Sequence, residues 1–331
     1  MRFGATILDA EGLRLTPDEK RFFRAANPFG FILFARNVDS PDQLRALCDE
    51  MRESVGREAP ITIDQEGGRV QRLRGPIWHE WTPPLDFVAA AGEHAEKAMY
   101  LRYRIIAAEL RAVGIDSNCA PMVDVARDTT HPFLRNRCYG SDVVTVARMG
   151  RAVANGLMDG GVIPVLKHIP GHGVATLDSH HELPRVALGQ NELGAVDFAP
   201  FHDLNELPMG MTAHLVYEAI DDRPATLSPK MIDLIRTRIG FDNLIMTDDI
   251  SMKALSGTPG DTATAALSAG CDVVLYCNGP LEQRRAVAEA AGEMTFAAQT
   301  RALRALNARK SPDDVDIPGL HAQLEALLKE A

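Results

Sequence analysis

Residues 164 to 184, PVLKHIPGHGVATLDSHHELP, hold four histidines, one lysine and two carboxylates in a chain with ten histidines. Three chemistries would use such a set. His168, His172, Asp178 and His180 are residue types that bind metals. No HExxH or CxxC spacing accompanies them, however, and Pro170 with Gly171 works against a helical i,i+4 histidine pair. Lys167 follows the apolar run VIPVL, so burial could lower its pKa and make it a Schiff-base nucleophile. A lysine in that place also needs a partner. The third chemistry is retaining glycoside hydrolysis, with Asp248 of TDDISM as nucleophile and a separate acid/base across the substrate.

Each group also has a plainer reading. Asp64 caps the GGR turn, and Arg72 and Arg137 make surface ion pairs of little energetic weight. His172, between two glycines, fixes a loop, His181 faces solvent, and Asp249 is a helix-start carboxylate.

The elements that would position these groups are eight apolar runs: FGATIL (3 to 8), FGFILFA (29 to 35), ITI (61 to 63), SNCAPMVDV (117 to 125), VIPVLK (162 to 167), MGMTAHLVY (209 to 217), NLIMT (243 to 247) and DVVLYC (272 to 277). Most are continuously apolar, as parallel strands covered on both faces require. Helix signals lie between them. TPDE from Thr16 reads as a capping box, SPDQ from Ser40 and SPKM from Ser228 repeat the pattern, and Ser141 opens a helix that stops at Gly160 and Gly161. Eight β/α alternations without a linker predict a single-domain (β/α)8 TIM-type barrel over residues 1–308. Residues 309–331 then form a C-terminal helical extension from about Pro318. A doubly wound sheet with an appended domain is the alternative. In a barrel, chemistry sits where strands end. The residues that follow the runs are Asp64, Arg69 and Arg72, then Arg135 and Arg137, Lys167 and His168, His214, and Asp248 and Asp249.

Composition sets outer limits. A net charge of −10 argues against a nucleic-acid or anionic-membrane surface. Cys48, Cys119, Cys138, Cys271 and Cys277 are odd in number and lack metal spacing, which suits a reduced compartment. The apolar run before Asp9 is too short for a secretion signal. These features predict a cytoplasmic protein, a monomer or weak dimer, that acts on a small molecule.

KHIPGHG, DSHHELP and TDDISM, with DQEGGRVQR, NRCYG, MTAHLVY, PATLSP and GFDNLIMTDDISM in order, resemble the bacterial cytoplasmic β-N-acetylglucosaminidases of glycoside hydrolase family 3, single-domain type. The resemblance implies a (β/α)8 barrel and no cofactor or metal. It implies Asp248 as nucleophile, His180 as acid/base and Asp178 as the group that orients it, with Asp64, Arg72, Arg137, Lys167 and His168 binding the sugar. The implied substrate is a muropeptide or another GlcNAc-containing saccharide in cell-wall recycling. The chain departs from the family at NRCYG, where relatives often carry serine and phenylalanine after the arginine. A histidine acid/base repels an incoming anion less than a carboxylate does, so phosphorolysis is the alternative outcome on the same site. Gly171 and Gly173 suggest a loop that swings His180 in when substrate binds. From other classes, the Lys167 lyase, the metal hydrolase and a non-catalytic sugar-binding protein remain the competing readings.

Overall fold

The computed structural model describes residues 2–177 and 182–331. The eight runs become eight parallel strands: β1 (Gly4–Asp9), β2 (Pro28–Leu33), β3 (Ile61–Ile63), β4 (Ser117–Asn118), β5 (Ile163–Ile169), β6 (Met209–Thr212), β7 (Leu244–Met246) and β8 (Val274–Tyr276). Their hydrogen-bonded order is β7-β6-β5-β4-β3-β2-β1-β8. A parallel bridge from Met246 to Val273 spans the remaining gap, so the sheet curls into a nearly closed single-domain barrel.

Two of the runs give strands shorter than their apolar length suggests. SNCAPMVDV gives only the two-residue β4, because Pro121 has no N–H to offer a ladder. Hydrogen bonds to β5 nevertheless run through the proline: Val165 N and Lys167 N donate to Ala120 O and Pro121 O at 2.9 and 3.0 Å, and Val123 N donates to Lys167 O at 2.9 Å. MGMTAHLVY divides into β6 and a separate pair, Val216–Tyr217 alongside Arg185–Val186, outside the barrel.

Helices fill the connections as their caps direct. At α1 (Pro17–Ala26), the Thr16 side chain accepts from Glu19 N and Glu19 accepts from Thr16 N, completing the box. At α2 (Pro41–Val55), Ser40 caps, but Gln43 reaches the backbone N–H of Asp39 instead of closing a box. Two long helices, α3 (Ala95–Ala112) and α4 (Val143–Asp159), pack against each other. Asp142, not Ser141, caps α4, accepting from Thr145 N at 2.8 Å; its carboxylate also complements the helix dipole.

Strand alternation sorts side chains between two cores. Leu8, Ile61, Ile63, Leu166 and Ile245 face the surrounding helices, whereas Ile7, Ile163, Val165, Met209, Leu244, Met246 and Leu275 fill the barrel. Helix α5 (Phe296–Asn307) adds Ala298, Ala302 and Ala305, one face at helical spacing, to that inner cluster. It plugs the end of the barrel opposite the strand C-termini. Nearby, buried Asp116 is ringed by Arg52, Arg111 and Arg309. The last helix, α6 (Ile317–Glu330), lies against α3.

Candidate functional site

Strand parity accounts for the site. Thr62 faces the barrel interior, touching Cys119 Sγ, so Asp64, two residues on, projects from the same side at the strand's C-terminal end. Lys167 stands in the same relation to Val165, and Asp248 to Met246. All three line one cavity of about 260 Å³ with Arg72, Arg137 and His168. Ile32, Met211 and Leu275 are among its apolar walls. Six residues singled out from the sequence therefore meet. Asp178 and His180 lie outside the described residues.

Charge pairing dominates one side of this cavity. Lys167, 2% exposed, sits 3.1 Å from Asp64 and 2.5 Å from Glu66. Arg72 holds the other Asp64 oxygen at 2.8 Å, and Arg137 grips Glu66 with two hydrogen bonds of 2.9 and 2.8 Å. Burial opposes the charge on Glu66, but Arg137 and Lys167 outweigh it and pull its pKa down to about 2. Asp64 is driven well below the carboxylate range by Lys167 and Arg72 against the same desolvation. Burial alone would discharge Lys167, but Glu66 and Asp64 hold its ammonium above the ordinary lysine range. That corrects the Schiff-base reading, which needs a lysine that readily loses its proton. It also corrects the view of Arg137 as a surface ion pair, since its partner Glu66 is 1% exposed.

Asp124, fully buried, organises the far side. One carboxylate oxygen takes the His168 Nδ1 at 2.7 Å, and the other accepts the His172 backbone N–H at 2.6 Å. Desolvation raises the pKa of Asp124, but the two histidines more than reverse this and leave it lowered. The His168 and His172 rings meet edge-on with centroids 5.6 Å apart, and burial pushes the His172 pKa down to about 4. The glycines beside His172 are close-approach positions, not open pivots. A Cβ on Gly173 would fall 1.9 Å from Val125 O, and one on Gly171, at φ +140°, 2.6 Å from Asp197 O. Tyr217 Oη donates to Gly171 O at 2.6 Å, and Thr130 Oγ1 donates to Gly173 O.

Asp248 is held by the turn that follows it. Asp249 N donates to Asp248 Oδ1 at 2.7 Å. The Asp249 carboxylate accepts from Ser251 N and Oγ, Cys277 N and Asn278 Nδ2, in keeping with the structural reading of that residue. Buried His214 braces the same turn, with Nε2 3.1 Å from Asp249 O and Nδ1 2.8 Å from Thr226 Oγ1. Burial lowers the pKa of His214, and the charge of Asp248 partly restores it.

Glu66 and Asp124 were missed as site residues. Each carried a signal. Glu66 is two positions beyond Asp64, on the same side of an extended chain, and Asp124 is a lone carboxylate inside an apolar run, which demands a partner.

The chain matches the family described as "Glycosyl hydrolase family 3 N terminal domain" over residues 14–305. It is 38% identical over 314 residues to a beta-hexosaminidase of Methylococcus capsulatus, covering 93% of this chain and 92% of that one. A beta-hexosaminidase of Alkalilimnicola ehrlichii is 37% identical over 288 residues, 85% of this chain and 82% of its own. Among solved structures, native NagZ from Neisseria gonorrhoeae superposes with a TM-score of 0.85 at 29% identity, covering 99% of this chain and 97% of that one. The same protein in complex with N-trifluoroacetyl-D-glucosamine gives 0.84 at 28% identity, covering 100% and 97%.

Proposed function

The chain belongs to glycoside hydrolase family 3 and is a glycoside hydrolase of the β-hexosaminidase type; from that premise we propose that it is a retaining, exo-acting β-N-acetylglucosaminidase that removes terminal GlcNAc from muropeptide fragments in cell-wall recycling. The observation that carries this reading is the shared cavity, in which the Asp248 carboxylate faces the Asp64, Arg72, Arg137, Lys167 and His168 group. Its volume of about 260 Å³ lies below the usual range for larger ligands and suits one sugar ring taken end-on. The relative bound to N-trifluoroacetyl-D-glucosamine supports the choice of sugar.

In this mechanism Asp248 attacks the anomeric carbon and forms a glycosyl-enzyme. His180 as imidazolium protonates the departing oxygen, then as imidazole takes a proton from the attacking water, and the two displacements return the original configuration. A histidine suits both steps because its ordinary pKa of about 6.5 is near neutral. Asp178 orients the ring and favours its charged form, as the carboxylate of a catalytic triad does. Asp64 accepts from sugar hydroxyls, while Lys167, Arg72 and Arg137 donate to them. Among the described residues no helix is long and apolar enough to cross a membrane, which is compatible with work in the cytoplasm.

Proton NMR of 4-nitrophenyl N-acetyl-β-glucosaminide turnover, with and without phosphate, tests the proposal. Initial release of β-GlcNAc is expected, and Asp248→Asn should abolish it. Initial α-anomer would remove Asp248 as nucleophile, and no cleavage would refute the sugar assignment. Sugar 1-phosphate in the phosphate sample would replace hydrolysis by phosphorolysis.

A further inference from the structure

Asp124 takes no part in the mechanism above, yet both its oxygens are engaged, by the His168 ring and the His172 backbone. We propose that Asp124 is a positioning residue that fixes the tautomer of His168, so that this histidine presents a hydrogen-bond acceptor to the substrate beside the donor Lys167. The proposal deepens the preceding functional reading and depends on it for the identity of the ligand.

The argument starts from donor and acceptor accounting. An ionised carboxylate only accepts, so the 2.7 Å contact between Asp124 Oδ2 and His168 Nδ1 requires a proton on Nδ1. In the neutral form of the ring the lone pair is then on Nε2, the other ring nitrogen, in a residue that lines the cavity. The carboxylate cannot rotate away from this duty, because its other oxygen holds the His172 N–H at 2.6 Å. Lys167, the preceding residue, is an ammonium and only donates. Two adjacent side chains thus offer opposite polarity, and a sugar hydroxyl, which both donates and accepts, can satisfy both. Fluorine in place of that hydroxyl cannot donate to Nε2.

Asp124→Asn reverses the polarity at nearly constant shape. Its amide oxygen can keep the His172 N–H, and its NH2 then faces His168 Nδ1, forcing the proton to Nε2. Two measurements on the full chain test the idea. The first is long-range 1H–15N NMR of histidine-labelled protein near neutral pH, with His168→Gln to assign the signals. A protonated Nδ1 and bare Nε2 are expected, whereas a protonated Nε2 in the unaltered protein would overturn the proposal without need of any Asp124 variant. The second is kcat/KM on 4-nitrophenyl N-acetyl-β-glucosaminides bearing fluorine singly at positions 3, 4 and 6. At one position the unaltered protein should lose about tenfold or more, carried mainly by KM, and Asp124→Asn should narrow that gap. An unchanged gap in a folded variant would overturn the proposal. If the unaltered protein cleaves none of these glycosides, the sugar assignment falls, while the NMR result still decides the tautomer.

Discussion

Glu66→Gln isolates the charge of Glu66 from its shape. The carboxylate is 1% exposed and meets Arg137 through two bonds and Lys167 at 2.5 Å. The amide keeps the volume, withdraws the negative charge and turns an NH2 toward a cation. With the folded-state pKa at about 2 and an unfolded value of about 4.3, the difference of roughly two units is worth about 3 kcal/mol at neutral pH. Removing one partner of a buried pair typically costs about 3 to 5 kcal/mol, and the lower end fits here because Asp64 still faces Lys167. The sign follows from a depressed carboxylate: its contribution is complete above the unfolded pKa and is lost as pH falls through the folded one. The stability gap between the unaltered chain and Glu66→Gln should therefore be about 3 kcal/mol at pH 7 and about 2 kcal/mol at pH 3.5. Urea unfolding at the two pH values measures it. kcat/KM should fall about 100-fold as Arg137 and Lys167 lose their fixed geometry. A gap that stays constant with pH would show that packing, not charge, explains the loss, and would refute the reasoning.

Three further outcomes are expected. Gly173→Ala should cost about 1 to 3 kcal/mol, because the added methyl meets Val125 O, and should lower turnover further by displacing the chain beyond it; thermal unfolding and kinetics of the same variant check both. His172 has a depressed pKa of about 4, so the unfolded chain binds its proton first, and stability should rise with pH between about 4 and 6.5. His172→Asn should flatten that slope in denaturant titrations across the window. Borohydride added during turnover should leave Lys167 unmodified by mass spectrometry, because Glu66 and Asp64 keep it an ammonium.

The barrel was legible because its signal is repeated eight times. Each strand is a short apolar run bounded by a cap or a turn, and small boundary errors at Pro121 or Ala213 do not change the order of the strands. The site was legible in part for the same reason, since Asp64, Lys167 and Asp248 each stand two residues past an inward-facing strand side chain. What the sequence hid was the pairing between strands. Nothing local joins Glu66 to Arg137, 71 positions away, or Asp124 to His168, 44 away. The hairpin of Gln65–Gly67 and Val70–Gln71, which turns Glu66 back over the barrel, is likewise too short to announce itself. Gly171 and Gly173 misled in another way. A pair of glycines around one histidine suggests freedom, but at both positions the backbone of another segment passes too close for a side chain.

Helix α5 stops the barrel at one end with three alanines, and for an enzyme of the proposed kind this imposes an order of departure. The group beyond the scissile bond lies toward the open mouth and must leave before water can reach the glycosyl-enzyme. The freed sugar, seated deepest, leaves last and by the same route. On the proposed function, every turnover would therefore end with the site emptied to solvent, and such an enzyme would not slide along a glycan and cut repeatedly without letting go. For such an enzyme, accumulated GlcNAc would compete with the next substrate for the same seat.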